Sequence, residues 1–118
     1  MGFRQAVGRD GERVAAAYLE SLGMVVLARN WRCSQGEIDL IAVDGHCLVV
    51  CEVKTRRSVG AGLPAEAVVP AKVARLRRLA AAWLAEQDRG FRDVRLDVVA
   101  IVRRSGGPSQ VEHLRGVA

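Results

Sequence analysis

Two runs in this chain, Leu48-Val49-Val50-Cys51 and Val98-Val99-Ala100-Ile101-Val102, are apolar at every position. A half-buried strand alternates apolar with polar residues, whereas a strand apolar throughout is covered on both faces. A chain of 118 residues, half of them hydrophobic, has room for one such core in one domain. The fold must therefore supply helices to both sides of a sheet.

The helices are legible. Val14, Ala15, Tyr18, Leu19 and Leu22 share a face at helical spacing, which predicts a helix over 7–22 that Gly23 ends. Pro70 suits a first helical turn, and Val73, Leu76, Ala80, Trp83 and Leu84 form the inward face of a helix over 70–87. Arg75 and Arg78 point away from that face. Strands are expected over 24–32, 37–43, 47–55 and 93–103, with a short edge strand over 110–117. Asp44-Gly45 is a hairpin signal, 58–64 reads as a Gly-rich loop and 105–108 as a turn. The expected class is α/β: a mixed central sheet of about five strands flanked by helices, in the order αβββαβ.

Several classes are excluded. No run of 18 apolar residues is present, so no membrane span is expected. Residues 1–9 carry Arg4 and Arg9 without an apolar run behind them, unlike a secretory signal, and a cytoplasmic protein is expected. The three cysteines, Cys33, Cys47 and Cys51, are an odd number without paired spacing and read as ordinary thiols. His46 and His113 lack zinc-site spacing.

Against this apolar background two stretches break the rules. Gly36-Glu37-Ile38-Asp39-Leu40-Ile41 puts two carboxylates into an apolar strand, and Glu52-Val53-Lys54 ends another with an acid and an amine. Such charges are costly unless paired or bound to metal. Alternation places Glu37, Asp39, Ile41 and Val43 on one face, and Leu48, Val50, Glu52 and Lys54 on one face. A two-residue turn sets Asp39 opposite Val50 and Glu37 opposite Glu52; a four-residue loop sets Asp39 opposite Glu52. Either gathers Glu37, Asp39, Glu52 and Lys54 on one side. A hard cation such as Mg²⁺ relieves the repulsion of such carboxylates. Lys54 is then placed to position a water or meet a phosphate. Glu12 can reach over from the first helix, and Lys72 and Asp97 are candidate accessories beside Glu37.

The bland alternatives stay open at this point. Asp39 and Glu52 could form structural ion pairs with Lys54 and an arginine. Glu12 and Glu37 could be solvated, Lys72 a surface lysine, and Asp97 a partner of Arg95 or Arg92.

The charge balance is +5, with 18 basic residues. It suits a polyanion, nucleic acid above all, and equally a merely basic surface. Only Lys54 and Lys72 are lysines among those basic residues. Where a compact amine is needed, arginine does not serve. Arg56 and Arg57 follow Lys54 and suit a phosphate backbone. Aromatic residues are scarce, and Trp83 is on a core face. Backbone recognition of duplex or branched DNA fits better than base stacking.

Gly11-Glu12, Ala16 to Leu19, Asn30, the string Gly36 to Ile41, Glu52-Val53-Lys54-Thr55-Arg56, Lys72 and Leu96-Asp97-Val98-Val99 together resemble the bacterial YraN family, described as endonuclease-like. Asp39 followed by Glu52-x-Lys54 resembles the PD-(D/E)XK nuclease signature. The resemblance implies a fold like archaeal Holliday junction resolvases and the restriction-endonuclease core. It implies a Mg²⁺- or Mn²⁺-dependent endonuclease acting on branched or structured DNA in repair or recombination. Glu12, Asp39 and Glu52 would be metal ligands, with the Val53 carbonyl a further one, and Lys54 the catalytic lysine. A homodimer is implied by analogy with enzymes that cut two strands symmetrically. Leu96 departs from the aromatic common before the Asp in that family. A catalytically inactive nuclease fold serving as a DNA or nucleoprotein adaptor is the alternative, and a protein–protein module with an acidic partner ranks last.

Overall fold

The computed structural model describes residues 3–56, 69–103 and 108–117. The expected loop over 58–64, most of the expected turn over 105–108 and Arg57 lie outside the described residues. The chain runs α1 (Phe3–Ser21), β1 (Val25–Cys33), β2 (Gly36–Asp44), β3 (Cys47–Arg56), α2 (Pro70–Ala85), β4 (Asp93–Val102) and β5 (Gln110–Leu114). The strands form one sheet in the order β1-β2-β3-β4-β5. All neighbours are antiparallel except β3 and β4, which are parallel and joined through α2. The helix-flanked mixed sheet is the expected class, with a restriction-endonuclease-like core, and β5 completes the sheet at an edge.

The helices cover opposite faces. Ala15, Ala16 and Leu19 of α1 pack on Leu40, Ala42, Val49, Cys51, Val99 and Ile101. Leu76, Leu79, Ala80 and Trp83 of α2 pack on Ile41, Val43, Leu48, Val50 and Leu96. Ala16 and Leu79 join the buried faces, and Leu22 leaves, being 41% exposed. The reason is the helix end. Gly23, at φ +92°, lets its N–H reach the Glu20 carbonyl and the Met24 N–H reach the Leu19 carbonyl. This closes α1 in a Schellman motif and turns Leu22 outward, while Met24 packs back beside Leu19.

Gly11 lies where α1 meets β3. A methyl group there would collide with the Thr55 hydroxyl, which would have to turn away. An ion pair between Asp10 and Arg103 ties the same end of α1 to the end of β4.

The β2–β3 hairpin turns at Gly45-His46, with Asp44 paired to Cys47 and Val43 to Leu48. That is the register of the longer expected loop, tightened by one further pair. Continued outward, it sets Asp39 level with Glu52. No helix among the described residues is long and apolar enough to cross a membrane. The three cysteines are free, and burial pushes the Cys51 thiol far above its ordinary value.

Candidate metal centre

Asp39 stands where the alternation of β2 fails. Ile38 packs on the α2 side with Ile41 and Val43, yet Leu40 packs on the α1 side. Regular alternation would put Ile38 and Leu40 on one face. In β1, Arg29 pairs with Leu40 and Trp31 with Ile38, which leaves Asn30 across from Asp39. Asn30 has φ +52°, the left-handed conformation that asparagine tolerates better than most residues. The expectation that Glu37, Asp39, Ile41 and Val43 share one strictly alternating face is corrected accordingly. The slip is local, and the acidic residues still converge.

They converge at the end of the sheet where β3 finishes, beside the first turn of α2. A cleft of about 240 Å³ is lined by Gly36, Glu37, Asp39, Glu52, Arg75 and Leu76. Open α/β sheets bind ligands outside the carboxyl ends of their strands, and this cleft has that position. Carboxylate oxygens of Glu12, Glu37 and Asp39 lie within 4.8 Å of one another. The tightest acidic set thus includes Glu37, expected only as an accessory, and brings in Glu12 from α1. The backbone N–H of Val53 donates to Asp39 Oδ2 at 2.8 Å and fixes its rotamer across the two strands.

Glu52 is held differently. It is 9% exposed, and both lysines of the chain approach its Oε1, Lys54 Nζ at 3.5 Å and Lys72 Nζ at 3.8 Å. Its other oxygen, Oε2, is buried without a hydrogen-bond partner among the described residues. A buried acceptor with no donor is expensive and calls for a specific explanation. Arg75, expected to point away from the core, lines the mouth of this cleft. The signal that finds it is spacing: it follows Lys72 by three residues on one helix flank.

The electrostatics of the cleft follow from crowding. Burial, and then the charges of Glu12, Glu37 and Glu52, raise the Asp39 carboxyl from 3.8 to about 6 against the opposing Val53 hydrogen bond. Hydrogen bonding with Lys54, and then burial, lowers the proton affinity of Lys72. The folded Asp39 therefore holds its proton over a pH range in which the unfolded one has lost it. Between about pH 4 and 6 the folded state binds more protons, so stability falls as pH rises, by up to about 3 kcal/mol. We expect the metal-free wild type to lose stability relative to Asp39→Asn across this window. Denaturant titrations of both proteins at fixed ionic strength check it; a constant difference would mean that Asp39 ionises freely.

Asp97, expected as a candidate accessory, lies outside the acidic group. It is fully buried, and its carboxylate is saturated. Arg95 donates to it through Nε at 2.9 Å and Nη2 at 3.0 Å, and the Gly116 N–H donates at 3.0 Å. His113 Nε2 lies 2.7 Å from Asp97 Oδ2, and the Tyr18 hydroxyl lies 3.2 Å from His113 Nδ1. Burial would raise this carboxyl, but the hydrogen bonds from Arg95, Gly116 and His113 outweigh it and hold it below its ordinary value. Of the two partners considered for Asp97, the structure selects Arg95. His113 was missed, because nothing in its local pattern shows that β5 lies beside β4. Arg56 closes β3, but its side chain, like Arg57, lies outside the described residues.

Fold and cleft define a helix-flanked α/β domain with a carboxylate-and-lysine pocket at the end of its central strands. The model of the uncharacterised protein family UPF0102 matches residues 11–101, and the chain belongs to that family, the YraN-type family that the sequence resembles. The matched span holds Glu12, Glu37, Asp39, Glu52, Lys54, Lys72 and Asp97. Similar proteins include a UPF0102 protein of Beutenbergia cavernae, 57% identical over 117 residues that cover 99% of each chain. Another, from Kineococcus radiotolerans, is 58% identical over 117 residues, covering 98% of this chain and 95% of its own.

Proposed function

We propose that this chain is a divalent-metal-dependent endonuclease that hydrolyses phosphodiester bonds of DNA in the acidic cleft. The observation that carries the reading is convergence. Carboxylates of β2 and β3 line one cleft, oxygens of Glu12 from α1 lie within 4.8 Å of those of Glu37 and Asp39, and the only two lysines of the chain approach Glu52. The residues fit a hard cation: every acidic donor is an oxygen, Glu52 Oε2 lacks a partner, and Asp39 resists ionisation without a nearby positive charge. Glu12, Glu37, Asp39 and Glu52 would hold it. Such an ion supplies Lewis acidity toward a phosphoryl oxygen and lowers the pKa of a water.

The chain's own groups do the rest. The Val53 N–H fixes one oxygen of Asp39 and leaves the other as a donor. Lys54 carries a positive charge on a rigid strand beside Glu52, where it can orient water or meet the charge that develops on phosphorus. Arg75 at the cleft mouth can bind a non-bridging phosphate oxygen. A net charge of +5 favours the polyanionic substrate.

Linear, flapped and four-way DNAs incubated with Mg²⁺ or Mn²⁺ test the reading. Wild type is expected to cut at least one of them, and Glu52→Ala none. Metal-dependent cleavage that survives Glu52→Ala would refute the site. One observation favours a binding-only adaptor instead: two ammonium groups already neutralise Glu52. That alternative expects salt-sensitive DNA binding, no cleavage of any substrate, and tolerance of Glu52→Gln.

A further inference from the structure

Helix α2 carries Lys72, Arg75, Arg77 and Arg78 and no acidic residue between Pro70 and Ala85. All four cations fall within its first nine residues. Its last turn, where the helix dipole would favour a cation, has none. Lys72 and Arg75, and then Arg75 and Arg78, are three residues apart, so like charges neighbour one another on the helix surface, which is unfavourable. Among the described residues, neither Arg75 nor Arg78 forms an ion pair with a carboxylate. Helix stability does not account for this arrangement.

The placement is ordered. With roughly 100° per residue and Leu76, Leu79, Ala80 and Trp83 facing the sheet, Lys72 falls within the buried arc, one turn before Leu76. Arg75 and Arg78 step round from it toward one side, roughly 60° at a time. Arg77 falls on the opposite flank and lines a different, apolar groove with Leu84 and Val94. The series therefore begins at the Glu52 carboxylate, passes the cleft mouth at Arg75 and continues outward over the helix surface.

We infer that Lys72, Arg75 and Arg78 form a track that binds the backbone of duplex DNA and leads it into the acidic cleft. The track rests on the endonuclease reading for its choice of partner. Its physics is separate, since spaced cations release counterions from phosphates whether or not the bond is cut.

The test is binding in EDTA, where no cleavage occurs, measured by fluorescence anisotropy with a labelled 30-mer duplex across a salt series. Removing two phosphate contacts makes the slope of log K against log salt shallower by about 2 and weakens binding on the order of 10- to 100-fold at 0.1 M salt. Arg75→Gln/Arg78→Gln is expected to show both changes. Arg77→Gln, with its charge removed from the other flank, is expected to follow the wild type; circular dichroism melts confirm that the variants fold. Equal losses in Arg77→Gln and Arg75→Gln/Arg78→Gln would mean diffuse attraction and overturn the track. So would wild-type binding without salt dependence, or competition by polyglutamate or duplex RNA as strong as by duplex DNA. A protein that shows the expected pattern but cuts nothing in Mg²⁺ keeps the track and loses the nuclease. One that cuts while Arg75→Gln/Arg78→Gln binds normally keeps the nuclease and loses the track.

Discussion

Asp39→Asn is expected to stabilise the metal-free protein near pH 7.5 and to lower DNA cleavage on the order of a thousandfold. The two effects have opposite signs because they have one cause. The ionised carboxylate at position 39 is crowded by Glu12, Glu37 and Glu52 and partly desolvated, which raises its pKa to about 6. At pH 7.5 it is charged nonetheless, and the fold carries that strain. An asparagine carbonyl can still accept the Val53 N–H, so the rotamer persists while the charge disappears. The stability gain is at most about 3 kcal/mol. A thousandfold rate loss is about 4 kcal/mol of transition-state stabilisation. Millimolar Mg²⁺ should raise the melting temperature of wild type by ligand linkage and leave that of Asp39→Asn nearly unchanged. Differential scanning fluorimetry with and without the ion reads this directly. A variant that is less stable and equally active would show Asp39 to be a structural partner.

Asp97→Ala should do the reverse: roughly 3 to 5 kcal/mol of stability lost, with cleavage per folded molecule retained. The substitution removes one acceptor from three donors at once. The Arg95 guanidinium loses its paired bonds and keeps only Asp44 at 3.3 Å. His113 and the Gly116 N–H lose theirs. Gly116 and Val117 are tied to β4 through Asp97 and the Leu96 carbonyl, so this end of the sheet should loosen first. Urea unfolding gives the magnitude, and amide exchange at Gly116 and Val117 gives the place. The Asp97 carboxyl is held below 3.8, so its contribution is complete above that pH and disappears as pH falls through the folded value. That window lies below the one governed by Asp39. Unchanged exchange at Gly116 together with a loss under 1 kcal/mol would overturn the anchoring role.

These two residues show what the sequence could and could not reveal. The double-faced apolar strands announced a covered sheet, because no other environment suits Val98 to Val102. The hairpin set Glu52 level with Asp39 through the register of the longer loop, although strict alternation fails at Asp39. What stayed hidden depends on neighbours distant in sequence. Asp39 and Asp97 are both acids set among apolar residues of a strand. They differ in what surrounds them, other carboxylates for one and Arg95, His113 and a backbone amide for the other. The slip of β2 at Asp39 was likewise hidden, since it requires Asn30 across the ladder to adopt a positive φ. Arg75 lies on the outer side of α2, and that side borders the cleft, which the spacing along the helix does not show.

The contact between Gly11 and Thr55 has a consequence one residue away. Glu12 projects from a helix whose standoff from the sheet is set by the absence of a side chain at its neighbour. The spacing between Glu12 and the β2 acids is therefore an aperture whose width is governed by packing, and the carboxylates do not choose it themselves. A side chain at position 11 too large for a turn of the Thr55 hydroxyl to relieve would widen it. In the metal site proposed above, ions of larger radius, Ca²⁺ before Mg²⁺, would then be favoured.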